Sequence, residues 1–371
     1  SLFATADPKD KEYVKQKKAG RILESIYPDQ PEHPGIAHYI IHHYDNPDLA
    51  RLALGTARRY ADIAPGSAHA QHMPSHIFTR LGLWDESIQS NLNSSSSAEC
   101  YAVETEMDGH WSREIHAIDY LVYAYLQKGD NAKAIEQFEY LQTINKVYPS
   151  TSSPYNFGAI SARMVLENKQ WTKAAQLRQH SSNVDWGKFP WETAILHFAR
   201  VLGASQIGDI NSAEKELAIL QSLHKELVNK EDKYRSDQVM IQVRASQAWI
   251  YYAKGKNDEA IALMQEAVEL EEKTGKHPIT PGEVLPASEL LGDLLLAINK
   301  PSEALKAYEM NLKRSPGRFN GIYGAAIAAK GTGDEKKAIK YFEMLLKLTE
   351  NTNSDRPEIE EAKKFIRLKE G

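Results

Sequence analysis

The sequence predicts an all-α protein, a right-handed superhelical α-solenoid built from degenerate helix pairs. Two observations carry this prediction. A short turn followed by an alanine recurs along the chain, and the apolar residues on both sides of these turns follow a helical period. Signals for β-strands are nearly absent, because alternating Val, Ile and Thr never persist across a segment bounded by turns. We expect roughly eight helix pairs with further helices at the ends.

The recurring turn marks the place where the first helix of a pair passes into the second. Its instances are LGLWDES (81–87), KGDNAKA (128–134), NKQWTKA (168–174), IGDINSA (207–213), KGKNDEA (254–260), INKPSEA (298–304) and GTGDEKKA (331–338). Gly, Asn, Asp and Pro favour the turn, and the alanine that follows lets two helices cross closely. The alanines expected at such crossings are Ala134, Ala174, Ala260, Ala304 and Ala338. We expect Trp84 and Trp171, which lie in two of the turns, to plug their helix pairs.

We predict one continuous array over residues 1–371. Within it, histidine-rich repeats occupy 1–145, further repeats occupy 146–350, and a capping helix occupies 351–371. Non-helical interruptions are expected near 145–156, 181–190 and 274–286, where the sequence is rich in Pro, Ser and Gly. Long loops between repeats are places where a solenoid carries specificity. A soft boundary is expected near 181–190.

Composition excludes several classes of function. The chain has 371 residues, a net charge of −5 and 42% hydrophobic residues, so no basic field indicates nucleic-acid binding. No apolar run is long enough to predict a membrane span. The single cysteine, Cys100, excludes an internal disulfide and a cysteine-rich zinc module. Phosphate-binding glycine motifs and a GxSxG nucleophile turn are also missing, so the sequence does not favour an enzyme.

The histidines are the most function-like feature of the chain. Most of its 13 histidines lie in the first third of the sequence. His38 and His42 have the i,i+4 spacing that places two side chains on one face of a helix, and so do His72 and His76. The second pair follows the first by about 34 residues, which is the length of a common helix-pair repeat. The sequence therefore predicts the same imidazole-rich face on two neighbouring repeats.

These histidines suggest a metal site across the first three repeats. Aligning the next repeat on its turn adds His116 and Asp119 to the cluster. Four to five imidazoles and one carboxylate would suit a Zn, Cu, Ni or Fe ion. Pro74 lies between His72 and His76 and is expected to start or kink that helix. The HExxH motif is absent, and histidines also serve as helix caps or core hydrogen-bonding groups, as we expect for His33 and His69 before helix starts.

A second polar set lies in the C-terminal half, where the starts of successive first helices should face the concave groove. It comprises Glu283, Glu289, Arg318, Asn320 and Tyr323. Arg and Asn are residue types that hold a peptide backbone or carboxylate, so this set is a candidate ligand groove. The alternative is that Arg318 pairs with a glutamate of the preceding repeat and fixes the stacking.

Two segments carry a resemblance to a known family. HPGIAHYIIHHYD with YADIAPGSAHAQHMPSHIFTRLGLWDESI, and HPITPGEVLPASELLGDLLLAINKPSEALKAYEMNLKRSPGRFNGIYGAA, resemble a bacterial family of tetratricopeptide-repeat proteins. The family is defined by its repeats and not by a reaction. Its members usually carry further N-terminal repeats and often an export signal. The resemblance therefore implies the C-terminal part of a longer protein and favours an exported or periplasmic location.

Together these observations predict a tetratricopeptide-type binding or scaffold protein that presents a concave groove to a protein, peptide or small ligand. The alternative function is a transition-metal-binding protein or metalloenzyme that uses the histidines of the first three repeats. A third interpretation treats the histidines as structural contacts that hold the repeats together.

Overall fold

The computed structural model describes residues 10, 12–274, 276–277 and 279–370. Its helices are α1 (Val14–Ile26), α2 (Pro34–Tyr44), α3 (Ala50–Ile63), α4 (Ala68–His72), α5 (Pro74–Leu81), α6 (Trp84–Glu104), α7 (Ser112–Gln127), α8 (Asn131–Thr143), α9 (Ser153–Leu166), α10 (Trp171–Ala175), α11 (Pro190–Gln206), α12 (Ile210–Asn229), α13 (Lys233–Ala253), α14 (Asn257–Thr274), α15 (Ala287–Ala297), α16 (Pro301–Arg314), α17 (Phe319–Thr332), α18 (Glu335–Leu348) and α19 (Pro357–Glu370). Short 3₁₀ turns cover Tyr27–Asp29 and Trp186–Lys188. Across these ranges the only β-type pairing is an isolated bridge between His110 and Val147.

Antiparallel helix pairs stack in chain order and confirm the predicted helical-repeat solenoid. Helix α2 packs on α3, and the same pairing recurs through α17 and α18. The first helices of successive pairs also contact each other, as α7 contacts α9, α9 contacts α11, and α11 contacts α13. This contact of each pair with its neighbours is the defining feature of a solenoid. Helix α19 packs on α18 at the C-terminal end.

The recurring turns lie where the sequence predicts them, each between the two helices of a pair. The alanines that follow them are completely buried, because the second helix crosses the first at this point. They are Ala134, Ala174, Ala260, Ala304 and Ala338. Trp84 is also buried, as predicted, whereas Trp171 is only half-buried. The serine-rich run at 93–99 lies inside α6.

The second histidine-bearing helix is not continuous, because Pro74 divides it into α4 and α5. Proline lacks the backbone N–H that a continuous helix needs at this position, and it is well tolerated as the first residue of a new helix. The break falls between His72 and His76. It still leaves both side chains buried on the inner side of the repeats.

The repeats curve until the last helix pair meets earlier ones, so contacts of the chain with itself cross its concave side. Trp84 Nε1 donates to the carbonyl of Gly317 at 2.8 Å, which joins the second helix pair to the last. Gly82 has a φ of 68°, and a Cβ there would lie 2.7 Å from the carbonyl oxygen of Pro316. A glycine is therefore required on both conformational and steric grounds at this joint.

The loop between α14 and α15 occupies the interior of the array. The carbonyl of Ile279 accepts from Tyr120 Oη at 3.1 Å, and the carbonyl of Gly282 accepts from Arg163 at 2.8 Å. The described residues of the predicted interruption at 274–286 therefore lie against the inner helices, and several of them line a cavity together with Tyr155 and Trp191. Among the described helices, none combines the length and apolar character that crossing a bilayer requires.

Candidate functional site

Three consecutive repeats bring histidines together at the N-terminal end of the array. Helix α2 carries His38 and His42, α4 carries His69 and His72, and α5 carries His76. Helix α7 adds His116. The i,i+4 spacing holds within α2, where the rings of His38 and His42 lie 4.5 Å apart.

Six of these side chains form two groups, which we call the inner and outer triads. The inner triad consists of His72, His76 and His116, and the outer triad consists of His38, His42 and His69. Within each triad, one nitrogen from each ring lies within 4.8 Å of those from the other two. The inner rings are at most 6% exposed, whereas the outer rings are half-buried. The triads therefore differ in their access to solvent.

The inner triad has a defined tautomer at two of its rings. Asn91 Nδ2 donates to the carbonyl of Ser87 at 2.7 Å, so Asn91 Oδ1 is the atom that faces His72 Nδ1 at 2.7 Å. His72 must therefore carry its proton on Nδ1. His76 Nδ1 lies 3.0 Å from the carboxylate of Asp45 and donates to it. In both neutral rings this leaves Nε2 with a free lone pair.

Burial keeps the inner triad neutral. It lowers the pKa of His72 well below the ordinary value, and His116 lowers it further. It also lowers the pKa of His116 strongly, with a further contribution from His76. For His76, burial lowers the pKa, the Asp45 carboxylate opposes this effect, and the Lys276 and Arg80 cations add to the lowering. The Nε2 atoms of His72 and His76 nevertheless face each other at 3.1 Å. With each Nδ1 turned towards an acceptor, the neutral rings present their Nε2 lone pairs to each other.

Asp45 links the inner triad to the rest of the structure. Besides His76, its carboxylate accepts from Arg80 Nε at 2.8 Å and from Lys276 Nζ at 3.3 Å. Burial raises the pKa of Asp45, but the Lys276 and Arg80 cations outweigh this effect and hold it well below the usual range. Asp45 is thus a buried anion that orients His76 and anchors the loop after α14. Asp45 lies beyond the end of α2 and outside the histidine spacing, so no pattern in the sequence marks it.

Asp119, which the sequence analysis placed in the metal cluster, lies outside both triads. Its carboxylate accepts from Arg163, and both side chains are completely buried. Helix α7 turns Asp119 towards α9, while His116, three residues earlier, faces the inner triad. His69 was expected to precede a helix, but it lies within α4 and belongs to the outer triad. His33 caps α2 as expected, because its Nδ1 accepts from the Gly35 N–H at 3.1 Å.

The predicted ligand-groove residues bind one another and other parts of the chain. Arg318 is fully buried and donates to Glu289 at 2.9 Å and to Glu167 at 2.7 Å. Asn320 also donates to Glu167, at 2.9 Å. The alternative interpretation of Arg318, a pair with a glutamate of the preceding repeat, matches the contact with Glu289. The remaining members are likewise engaged: Glu283 accepts from Arg314 and Tyr323 donates to Glu361.

The buried histidines make the metal-free protein sensitive to acid. Burial lowers the pKa of His42 to about 4 and that of His69 to about 3, both from 6.5. Between pH 6.5 and about 4 the unfolded chain therefore binds more protons than the folded chain, so the free energy of unfolding falls as the pH falls. We expect thermal unfolding of chelator-treated protein to move to lower temperature across this window. A melting temperature that stays constant or rises on acidification would contradict the burial of these rings.

Sequence comparison identifies a single repeat. Residues 241–274, which cover the end of α13 and all of α14, match the tetratricopeptide repeat model. No curated protein matches the chain. The tetratricopeptide-like helical repeat is a fold that protein-interaction scaffolds use.

Solved structures with similar helical arrays include the yeast Tom70, with 14% identity and a TM-score of 0.38 over 100% of this chain and 91% of that chain. The P58(IPK) TPR domain has 13% identity and a TM-score of 0.29, covering 96% of this chain and 99% of that chain. Cut9–Hcn1, an APC/C hetero-tetramer, has 11% identity and a TM-score of 0.35, covering 96% of this chain and 82% of that chain. These similarities are too low to support a functional argument.

Proposed function

We propose that the protein binds a transition-metal ion at the inner triad of His72, His76 and His116. The observation that carries the proposal is the approach of the Nε2 atoms of His72 and His76 to 3.1 Å, while the Nδ1 atom of each ring faces an acceptor. Two lone pairs at this distance repel each other, and burial keeps both rings out of contact with bulk solvent. A cation between the two nitrogens removes the repulsion and gives both acceptors a partner.

The spacing of His72 and His76 fits coordination to one ion. Imidazole nitrogens bind Zn²⁺ at about 2.0–2.1 Å, so two of them at a tetrahedral angle lie about 3.3 Å apart. The observed 3.1 Å is close to this value. His116 supplies the third nitrogen within 4.8 Å. Three protein ligands leave one tetrahedral position for a further donor, as in zinc sites that keep an open position.

The surroundings of the triad resemble those of established metal sites in their chemistry. Histidine ligands of metals usually donate their other N–H to a carboxylate or carbonyl, which fixes the tautomer and makes the ligand more basic. Asp45 accepts this hydrogen bond from His76 Nδ1, and the side-chain carbonyl of Asn91 accepts it from His72 Nδ1. An all-imidazole set suits zinc or copper better than calcium or magnesium, which prefer oxygen ligands. We therefore expect Zn²⁺ or copper in the inner triad.

Metal content tests this proposal directly. Protein purified without an affinity tag is stripped with a chelator, dialysed against Zn²⁺ or Cu²⁺, and measured by plasma mass spectrometry. We expect tight, near-stoichiometric metal in the wild-type protein and loss of this tight equivalent in His72→Gln. His224→Gln removes a histidine of α12 outside both triads and serves as the matched control. If His72→Gln folds normally by circular dichroism and retains the tight equivalent, the proposal is wrong.

A second proposed function is that of a protein-interaction scaffold. The tetratricopeptide repeat at 241–274 supports it, because stacked repeats offer an extended surface to partners. The predicted groove residues do not, since ion pairs within the chain engage Glu289 and Arg318. Affinity purification with cross-linking, performed on metal-loaded and metal-free protein, tests this role. A reproducible partner would support it, and a chain that remains alone in both states would count against it.

A further inference from the structure

We infer that the outer triad of His38, His42 and His69 is a second, weaker metal site that takes up an ion and passes it to the inner triad. This inference rests on the proposed function of the inner triad. It assigns the outer triad its own role, because three imidazole nitrogens within 4.8 Å of one another form a complete set of borderline-metal ligands. The described residues place no carboxylate or thiol in this group.

The two triads form one continuous row of rings. Ring centroids lie 5.0 Å apart between His69 and His38, 4.5 Å between His38 and His42, and 6.1 Å between His42 and His76. The row continues from His76 to His72 at 4.9 Å and on to His116 at 4.4 Å. His42 is the member that contacts both triads. An ion can therefore move between ligands that are neighbours in space.

Solvent access gives the row a direction. The outer rings are half-buried, whereas the inner rings are at most 6% exposed. An ion from solvent can reach His38 and His69 without displacing the core, but it cannot reach His116 in the same way. The outer triad is thus the accessible end of the row, and the inner triad is the enclosed end.

Local charge makes the outer triad the weaker site. Arg113 donates to His69 Nδ1 at 3.2 Å, so this nitrogen binds an ion only after the guanidinium moves away. A guanidinium in this position also repels a bound cation. The inner triad has the Asp45 carboxylate, which also pairs with Arg80 and Lys276, directly behind His76, and within the described residues the outer triad has no ion pair to a carboxylate. Weak binding at the entrance and tight binding inside would favour inward transfer.

Cobalt is a suitable probe because Co²⁺ in a nitrogen site of low coordination number absorbs visible light and occupies zinc sites. Stripped protein is titrated with Co²⁺, and the rate of loading is followed by stopped-flow absorbance. We expect a tight and a weak equivalent in the wild type. His38→Gln should lose the weak equivalent, retain the tight one, and load the tight site more slowly. His43→Gln, a neighbouring change on α2 outside both triads, is the matched control.

The outcomes separate this inference from the proposed function. If His38→Gln and His69→Gln keep both equivalents, or load the tight site at the wild-type rate, the transfer role is wrong while the inner site stands. If His72→Gln loses the tight equivalent and retains the weak one, the two sites are independent, as inferred. Absence of Co²⁺ binding by the wild type would overturn both the inference and the proposed function.

Discussion

Replacing Arg318 with methionine should lower the free energy of unfolding by about 3–5 kcal/mol, the range measured when one partner of a buried ion pair is removed. Arg318 is fully buried and donates to the carboxylates of Glu167 and Glu289 and to Tyr123 Oη. Methionine fills part of the volume but leaves two glutamates without their cation. Because Glu167 follows α9 in the middle of the array and Arg318 precedes α17, the loss should also loosen the contact between these two parts of the array.

Urea unfolding followed by circular dichroism measures this effect. Arg58→Met is the matched control, because Arg58 is 53% exposed and its pair with Glu86 lies at the surface. An exposed pair contributes roughly 0–1 kcal/mol, so the control should unfold almost as the wild type does. Equal unfolding midpoints for both variants would mean that Arg318 does not hold the array closed. If Arg318 instead served a ligand groove, its replacement would leave stability nearly unchanged.

Replacing Asp45 with asparagine should weaken metal binding at the inner triad by about 10–100-fold, as is typical when a partner behind a metal ligand is lost. Asparagine keeps the shape and can still accept from His76 Nδ1. It removes the negative charge, however, and leaves Arg80 and Lys276 without their shared anion. Both cations then raise the electrostatic cost of a metal ion nearby.

Competition titration with a chromophoric chelator measures this change in affinity. Asp48→Asn is the control, because Asp48 is an exposed carboxylate that accepts from Tyr13 Oη and contacts neither triad. The folded state of each variant is checked by thermal unfolding, since Asp45 also anchors the loop through Lys276. Unchanged affinity in well-folded Asp45→Asn protein would show that the carboxylate does not support a bound ion.

The local sequence determined the helical repeats and the pairing of His38 with His42 on one helix face. Helix pairs could be predicted because a turn followed by a buried alanine, such as Ala260, is a short-range pattern that each pair repeats. The i,i+4 pair of His38 and His42 could be predicted for the same reason, since helical periodicity places both rings on one face. The broken helix at Pro74 was also visible in the sequence, although its effect on His72 and His76 was not.

The tertiary structure alone decided which side chains meet across the array. Asp45 meets Lys276 from a position 231 residues away, and Arg318 meets Glu167 from 151 residues away. Such contacts depend on the small rotation between successive repeats, which adds up over the whole solenoid and leaves no pattern in any one segment. The same rotation turned Asp119 towards Arg163 and brought His69 beside His38. The sequence by itself therefore determined the helical repeats and their imidazole-rich faces, and the packing of the repeats against one another determined the triads and the contacts that cross the array.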